Sequence, residues 1–243
     1  EADRIAAIEA YMNDVEKRFK EAGYEHLELM GYYWYHEGIY VENNDVEIIK
    51  ATSKKCHAHG YDLFWIPWYN APGVKFWKDC DIDVAVMQPG YVFDITVPEG
   101  RLEQAANYIR QYGMGIEIEI GSANLNDPAL RERYIEYLMG GVQYGYMKNC
   151  IHMYYQEVTA YTAAATSGDP KVRQLYDYTY QFIKGTLAAN PEAFEPVKVS
   201  GKANEVITGK VIDVVVYSFD YSKVVLIITK EYDRVAQAIS DKL

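Results

Sequence analysis

A chain of 243 residues can bury a substantial core, either as one barrel-sized domain or as a domain with an appendage. Its net charge of −11, offset by no basic stretch, argues against nucleic acid as a partner. No apolar run approaches the roughly 20 residues of a membrane span, and Cys56, Cys80 and Cys150 are too few for a dense disulfide framework.

Residues 2–22 read as an amphipathic helix: Ile5, Ile8, Ala10, Tyr11, Val15 and Phe19 recur at roughly helical spacing, and Gly23 follows as a stop. A strand over 27–36 and a helix over 45–59 come next. Cys56-His57-Ala58-His59 resembles a metal cluster in composition. Residues two apart on a helix do not share a face, however, so it reads as a buried cysteine beside surface histidines. A second strand covers 61–69, a short helix 73–79 and a third strand 83–91. Leu102, Ala105, Ala106, Ile109 and Tyr112 give the apolar stripe of a helix over 99–112, capped by Gly113. The fourth strand spans 114–120, a helix 128–140, the fifth strand 151–156 and a further helix 170–185. In the tail, 206–219 and 223–232 are Val/Ile-rich and read as antiparallel strands, followed by a short helix over 232–243.

Strands alternating with helices indicate an α/β fold of the (β/α) TIM-barrel type, and their nearly continuous apolar runs fit burial on both faces. A full barrel takes about 250 residues. Five βα units over 1–190 therefore predict the C-terminal portion of a barrel, with 195–243 as a small β-rich appendage. The chain opens on a helix and on Glu1 rather than Met, so the remaining units, and any further domain or segment, are expected upstream.

On such a fold the chemistry sits at the C-terminal ends of the strands. Glu37 ends the first strand, and Glu117 and Glu119, two apart on the fourth, point to the same side of it. An ionised acid in a barrel interior is costly unless it is paired or used. Glycosidic bond cleavage uses two carboxyl groups, one to protonate the leaving oxygen and one to attack the sugar or activate water. The bland alternative is that each acid binds an Arg or Lys. Other strand ends supply candidate ligands for a poly- or oligosaccharide: Trp65, Trp68, Tyr69 and Asn70, then Gln88 and Tyr91, then Tyr155. Trp68 and Tyr91 are the stacking candidates, and His36 tunes Glu37, contacts the substrate or simply packs. No Gly-x-Ser-x-Gly, glycine-rich phosphate loop or metal-type spacing is present, so no cofactor or metal is expected.

Gly31-Tyr32-Tyr33-Trp34 with Glu37, Phe64-Trp65-Ile66-Pro67-Trp68-Tyr69, Met87-Gln88-Pro89-Gly90-Tyr91 and Gly113 to Glu119 together resemble a bacterial family of unknown function over roughly 1–160. Its members look like glycosidase-type barrels of secreted or surface proteins. The resemblance departs at Gly90, where Asn is expected, and in lacking an upstream third. It implies an extracellular or cell-surface location and a looser kinship with retaining glycoside hydrolases, whose acid/base ends strand four and nucleophile strand seven. With three strands upstream, Glu37 and Glu119 fall on those strands, although His36 stands where that clan usually has Asn. The expectation is a retaining glycosidase with Glu37 as acid/base, Glu119 as nucleophile and Glu117 as substitute for either. The alternatives are a non-catalytic carbohydrate-binding barrel and a structural surface domain.

Overall fold

The computed structural model describes residues 1–98, 100–148 and 150–188, together with the strand segments 212–215 and 224–227. The chain divides into two compact units, Glu1–Val86 with Lys210–Leu243, and Met87–Gly209. The fold is of the α/β class, and every strand pairing among β1 to β5 described below is parallel.

In the first unit, helix α1 (Ala2–Ala22) ends where Gly23 turns left-handed at φ 61°. Strand β1 (Gly31–Trp34) pairs with β2 (Asp62–Trp65), and β2 pairs with β3 (Val84–Met87), within which the unit boundary falls. Helix α2 (Asp45–Ala58) links β1 to β2 and buries Ile48, Ile49 and Cys56, beside Leu63 and Trp65 of β2 in the same core. Full burial of each such aliphatic side chain contributes about 1.5–3 kcal/mol. Buried Asp45 ties the start of α2 to its surroundings, accepting from the Tyr40 N–H at 2.9 Å and from Arg4 of α1 at 3.3 Å. Between β2 and β3 the expected short helix is a 3-10 turn over Trp77–Cys80.

At the N-terminal edge of these strands, Asp83 accepts the Leu63 N–H at 2.7 Å and contacts His57 at 2.9 Å, while His59 meets Glu16 at 2.7 Å. Cys56, which precedes both histidines in sequence, is wholly buried, and burial, then the Asp83 charge, pushes its thiol up to about 11. Burial likewise raises the Cys80 and Cys150 thiols to about 11, which keeps all three as thiols rather than nucleophilic thiolates at neutral pH.

In the second unit, α3 (Gly100–Tyr112) leads to β4 (Gly115–Glu119), which pairs with β5 (His152–Tyr155). Between these strands lie α4 (Ser122–Asn126) and α5 (Pro128–Tyr144); α6 (Ala160–Ala165) and α7 (Pro170–Lys184) follow. Asp127 and Asp169 each cap a helix that begins with proline. Asp127 accepts the Ala129 N–H and Asp169 the Lys171 N–H, both at 2.8 Å.

Helix α5 runs through Gly140-Gly141, where the sequence suggested an end. Both glycines are buried, and side chains there would strike the Tyr146 hydroxyl and the Phe182 ring. The pair marks a close approach of α7 and the 146 segment rather than a terminus. Tyrosines fill much of this core, and the buried hydroxyls of Tyr134, Tyr137 and Tyr146 are hydrogen-bonded. Tyr134 bonds to Tyr161 and Thr179, Tyr137 donates to the Glu117 carbonyl, and Tyr146 donates to the Tyr137 carbonyl.

The tail strands β6 (Ile212–Val215) and β7 (Val224–Ile227) pair antiparallel, as their sequence suggested. The expected helix over 232–243 lies outside the described residues. Among the described residues, no helix is long and apolar enough to cross a membrane.

Candidate active site

In the first unit, the chain leaving β1 carries His36 and Glu37. His36 is exposed and its Nδ1 lies 2.8 Å from the Gly38 carbonyl; Glu37 is half-buried. Two features hold this loop. The Trp65 indole, at the end of β2, donates to the His36 carbonyl at 3.0 Å. The Ile39 N–H bonds to Pro72 at 2.8 Å, which seats the loop on the segment that follows Trp68. That approach requires Gly73: its φ is +96°, and a Cβ there would sit 2.5 Å from the Ile39 Cβ. The rim of the Trp68 ring consequently lies against Gly38, one residue from Glu37. Tyr69 is half-buried and Asn70 exposed at φ 65° in the same turn. Trp68 keeps 38 % of its surface, whereas Trp65 has none.

The second unit holds the other acids. On β4, Ile116 and Ile118 share one face of the strand, and Glu117 and Glu119 share the other, at 8 % and 4 % exposure. A carboxylate this deep needs donors in place of the water it has lost. Glu119 accepts the Gly90 N–H at 2.9 Å, and Gly90 belongs to the loop that leaves β3. Register sets Glu119 opposite Tyr155 on β5, and Tyr155 is 44 % exposed. Its phenol is raised above the usual value, first by partial burial and then by the charges of Glu157, Glu117 and Glu119.

Tyr91 is 1 % exposed. Its hydroxyl donates to Glu136 at 2.7 Å, the Arg133 guanidinium covers its ring at 4.4 Å, and its phenol is pushed up to about 12 by burial and by Glu136. Trp65 and Tyr91 thus serve as packed struts beneath the loops. Neither shows a ring face on which a sugar could stack in this conformation. Gln88 is half-buried at the end of β3.

Of the residues singled out in the sequence, His36, Glu37, Trp65 and Trp68 are brought together in the first unit, and Glu117, Glu119 and Tyr155 in the second. Three residues in the second unit went unnoticed. Phe93, 41 % exposed, meets Tyr155 edge to face, with ring centroids 6.2 Å apart at 83°. Glu157 follows β5 and accepts the Ser122 N–H at 2.8 Å. Arg133 of α5 donates to the Ile95 and Val97 carbonyls and so anchors the loop that carries Phe93. The available signal was spacing: Phe93 and Glu157 lie two residues beyond Tyr91 and Tyr155.

Among the described residues, no three His, Cys, Asp or Glu side chains group closely enough to hold a metal ion. The arrangement can offer carboxylates, one of them oriented by a backbone amide, beside aromatic rings that accept an apolar sugar face.

The profile of a family described as a domain of unknown function (DUF4855) matches residues 1–181. Among solved structures, the chain is similar to a "putative alpha-L-fucosidase" from Bacteroides thetaiotaomicron VPI-5482, with 17% identity and a TM-score of 0.46. The alignment covers 73% of this chain and 61% of that one, so the chain spans less than two thirds of the matched structure. No curated protein matches the sequence.

Proposed function

The chain belongs to the DUF4855 family, whose name carries no activity, and from the geometry of its strand ends we propose that it is part of a (β/α) barrel that cleaves glycosidic bonds with retention. Glu119 is the nucleophile, Glu37 the general acid/base, and Glu117 stands in for either. His36, Trp68, Tyr69, Asn70, Gln88 and Tyr155 bind a poly- or oligosaccharide, and the protein works outside the cell or on its surface. The observation that carries this reading is the pair of nearly buried carboxylates on one face of β4, with Glu119 held by a backbone N–H at the strand's C-terminal end.

The test is release of reducing ends from a panel of polysaccharides by the full chain, beside Glu37→Gln and Glu119→Gln. The proposal expects turnover by the unaltered chain, products that keep their anomeric configuration, and a loss of about 10²–10⁴-fold or more in each variant with unchanged circular dichroism. Full activity in either variant would refute its assignment. The exposed faces of Trp68 and Tyr155 favour one second reading, a carbohydrate-binding barrel without turnover. Glycan binding weakened by Trp68→Ala, with no reducing ends released by any form, would select it.

A further inference from the structure

The strand ends of the second unit contain a feature that bond cleavage does not use. Phe93 and Tyr155 are large, exposed rings set nearly at right angles, which leaves an open aromatic corner. Gly121 lies against one side of the corner: a Cβ there would meet the Phe93 ring at 3.1 Å and the Glu157 carboxylate at 2.6 Å. Glu157 therefore sits beside the Phe93 ring, and its charge acts on the Tyr155 hydroxyl. One of its oxygens accepts the Ser122 N–H, and the carboxylate keeps further acceptor sites. Among the described residues, the Tyr155 hydroxyl makes no hydrogen bond, so it is available to a ligand.

Glu157, Glu117 and Glu119 all act on the Tyr155 hydroxyl, and no basic side chain stands among the groups that do. Of the guanidinium groups in this unit, Arg133 is committed to the Tyr91 ring and to the Ile95 and Val97 carbonyls, and Arg101 donates to the Pro89 carbonyl. A sugar ring stacked here meets acceptors and negative charge. A protonated amine would be attracted and a carboxylate repelled.

We propose that Phe93, Tyr155 and Glu157 form a glycan subsite that selects sugars by charge, taking an amino sugar ahead of a neutral one and rejecting uronic acids. This rests on the glycan reading given above and adds the class of sugar. Phe93 supplies the face, Tyr155 the edge and a hydroxyl donor, and Glu157 the discrimination.

The test is calorimetric binding of the full chain to three oligomers of equal length and linkage, built from glucose, glucosamine or glucuronic acid. The glucosamine oligomer should bind about tenfold more tightly than the glucose oligomer, with a preference that shrinks as salt rises, and the glucuronic acid oligomer should not bind measurably. Phe93→Ala should weaken all binding by about tenfold. Phe93 is exposed, so this variant should melt as the parent does. Glu157→Gln should leave glucose-oligomer affinity in place and remove most of the preference for glucosamine. Equal binding of the glucuronic acid oligomer, an unchanged preference in Glu157→Gln, or full affinity in Phe93→Ala would overturn the subsite alone. Binding of none of the three would overturn the glycan reading with it.

Discussion

Glu37 follows one parallel strand and Glu119 ends another, and the molecule holds them by different means. Glu37 lies past the end of β1 in a loop fixed by close backbone approaches, with Gly73 under Ile39 and the Trp68 ring against Gly38. Glu119 is the last residue of β4 itself, 4 % exposed, fixed by the strand ladder and by the Gly90 N–H. The first carboxylate stays within reach of water; the second has exchanged water for protein donors. A loop acid is therefore sensitive to steric change at remote glycines, and a strand acid to the packing behind its sheet.

Four substitutions or conditions sharpen that contrast. The largest effect belongs to the packing side. Phe182 is fully buried and touches the rings of Tyr146 and His152, so Phe182→Ala should cost about 3–5 kcal/mol in denaturant unfolding. Amides of β4 and β5 should lose exchange protection; a cost below about 1 kcal/mol would break the argument that this core holds the strand acids.

On the loop side, Gly73→Ala forces a side chain into a left-handed position against Ile39, at about 1–3 kcal/mol. Tryptophan fluorescence should report a displaced Trp68, and an unchanged spectrum with unchanged melting would count against the seating of the Glu37 loop. Removing the cap of α5 with Asp127→Ala should cost about 1 kcal/mol, visible as a lowered melting temperature.

The subtlest effect is a pH slope. His152 lies on β5 against Phe182, and burial lowers its pKa below the usual 6.5, only partly offset by its bond to the Tyr146 carbonyl. The unfolded chain then binds a proton that the folded chain resists, so this residue's stabilising contribution is present above about pH 6.5 and is lost as pH falls below it. His152→Gln should flatten that part of the stability profile. An identical slope in the variant would show that other groups carry it.

Much of the architecture was legible because apolar periodicity and caps report it directly. Gly23 and Gly113 stop α1 and α3, and the Asp-Pro pairs at 127–128 and 169–170 start α5 and α7. The strands came out shorter than expected, Gly31–Trp34 within 27–36 and Asp62–Trp65 within 61–69. Extended, aromatic-rich chain continues past the last ladder bond into the loops that carry Glu37 and Trp68, and composition does not mark where pairing ends. Helices α4 and α6 escaped notice because each is too short to show a stripe. The first is organised by buried Asn124, which bonds to Val92 and Leu130, a tertiary contact without local signature.

In the candidate site, the positions of Glu117 and Glu119 followed from period-two alternation. The partner of Glu119, the Gly90 amide, belongs to the backbone and could not be read from a side-chain pattern. The burial of Trp65 and Tyr91 was hidden for a related reason: a ring at a strand end looks alike in sequence whether it faces a cleft or a guanidinium such as Arg133.

The glycine pair inside α5 also bears on the order in which the molecule assembles. Each glycine weakens an isolated helix by about 1 kcal/mol relative to alanine, so residues 136–144 have little tendency to coil alone. Their helix is worth forming only when Phe182 and Tyr146 arrive to occupy the space the glycines leave. The C-terminal half of α5 should thus be among the last helical turns to form, and substitutions along it should speed unfolding far more than they slow refolding.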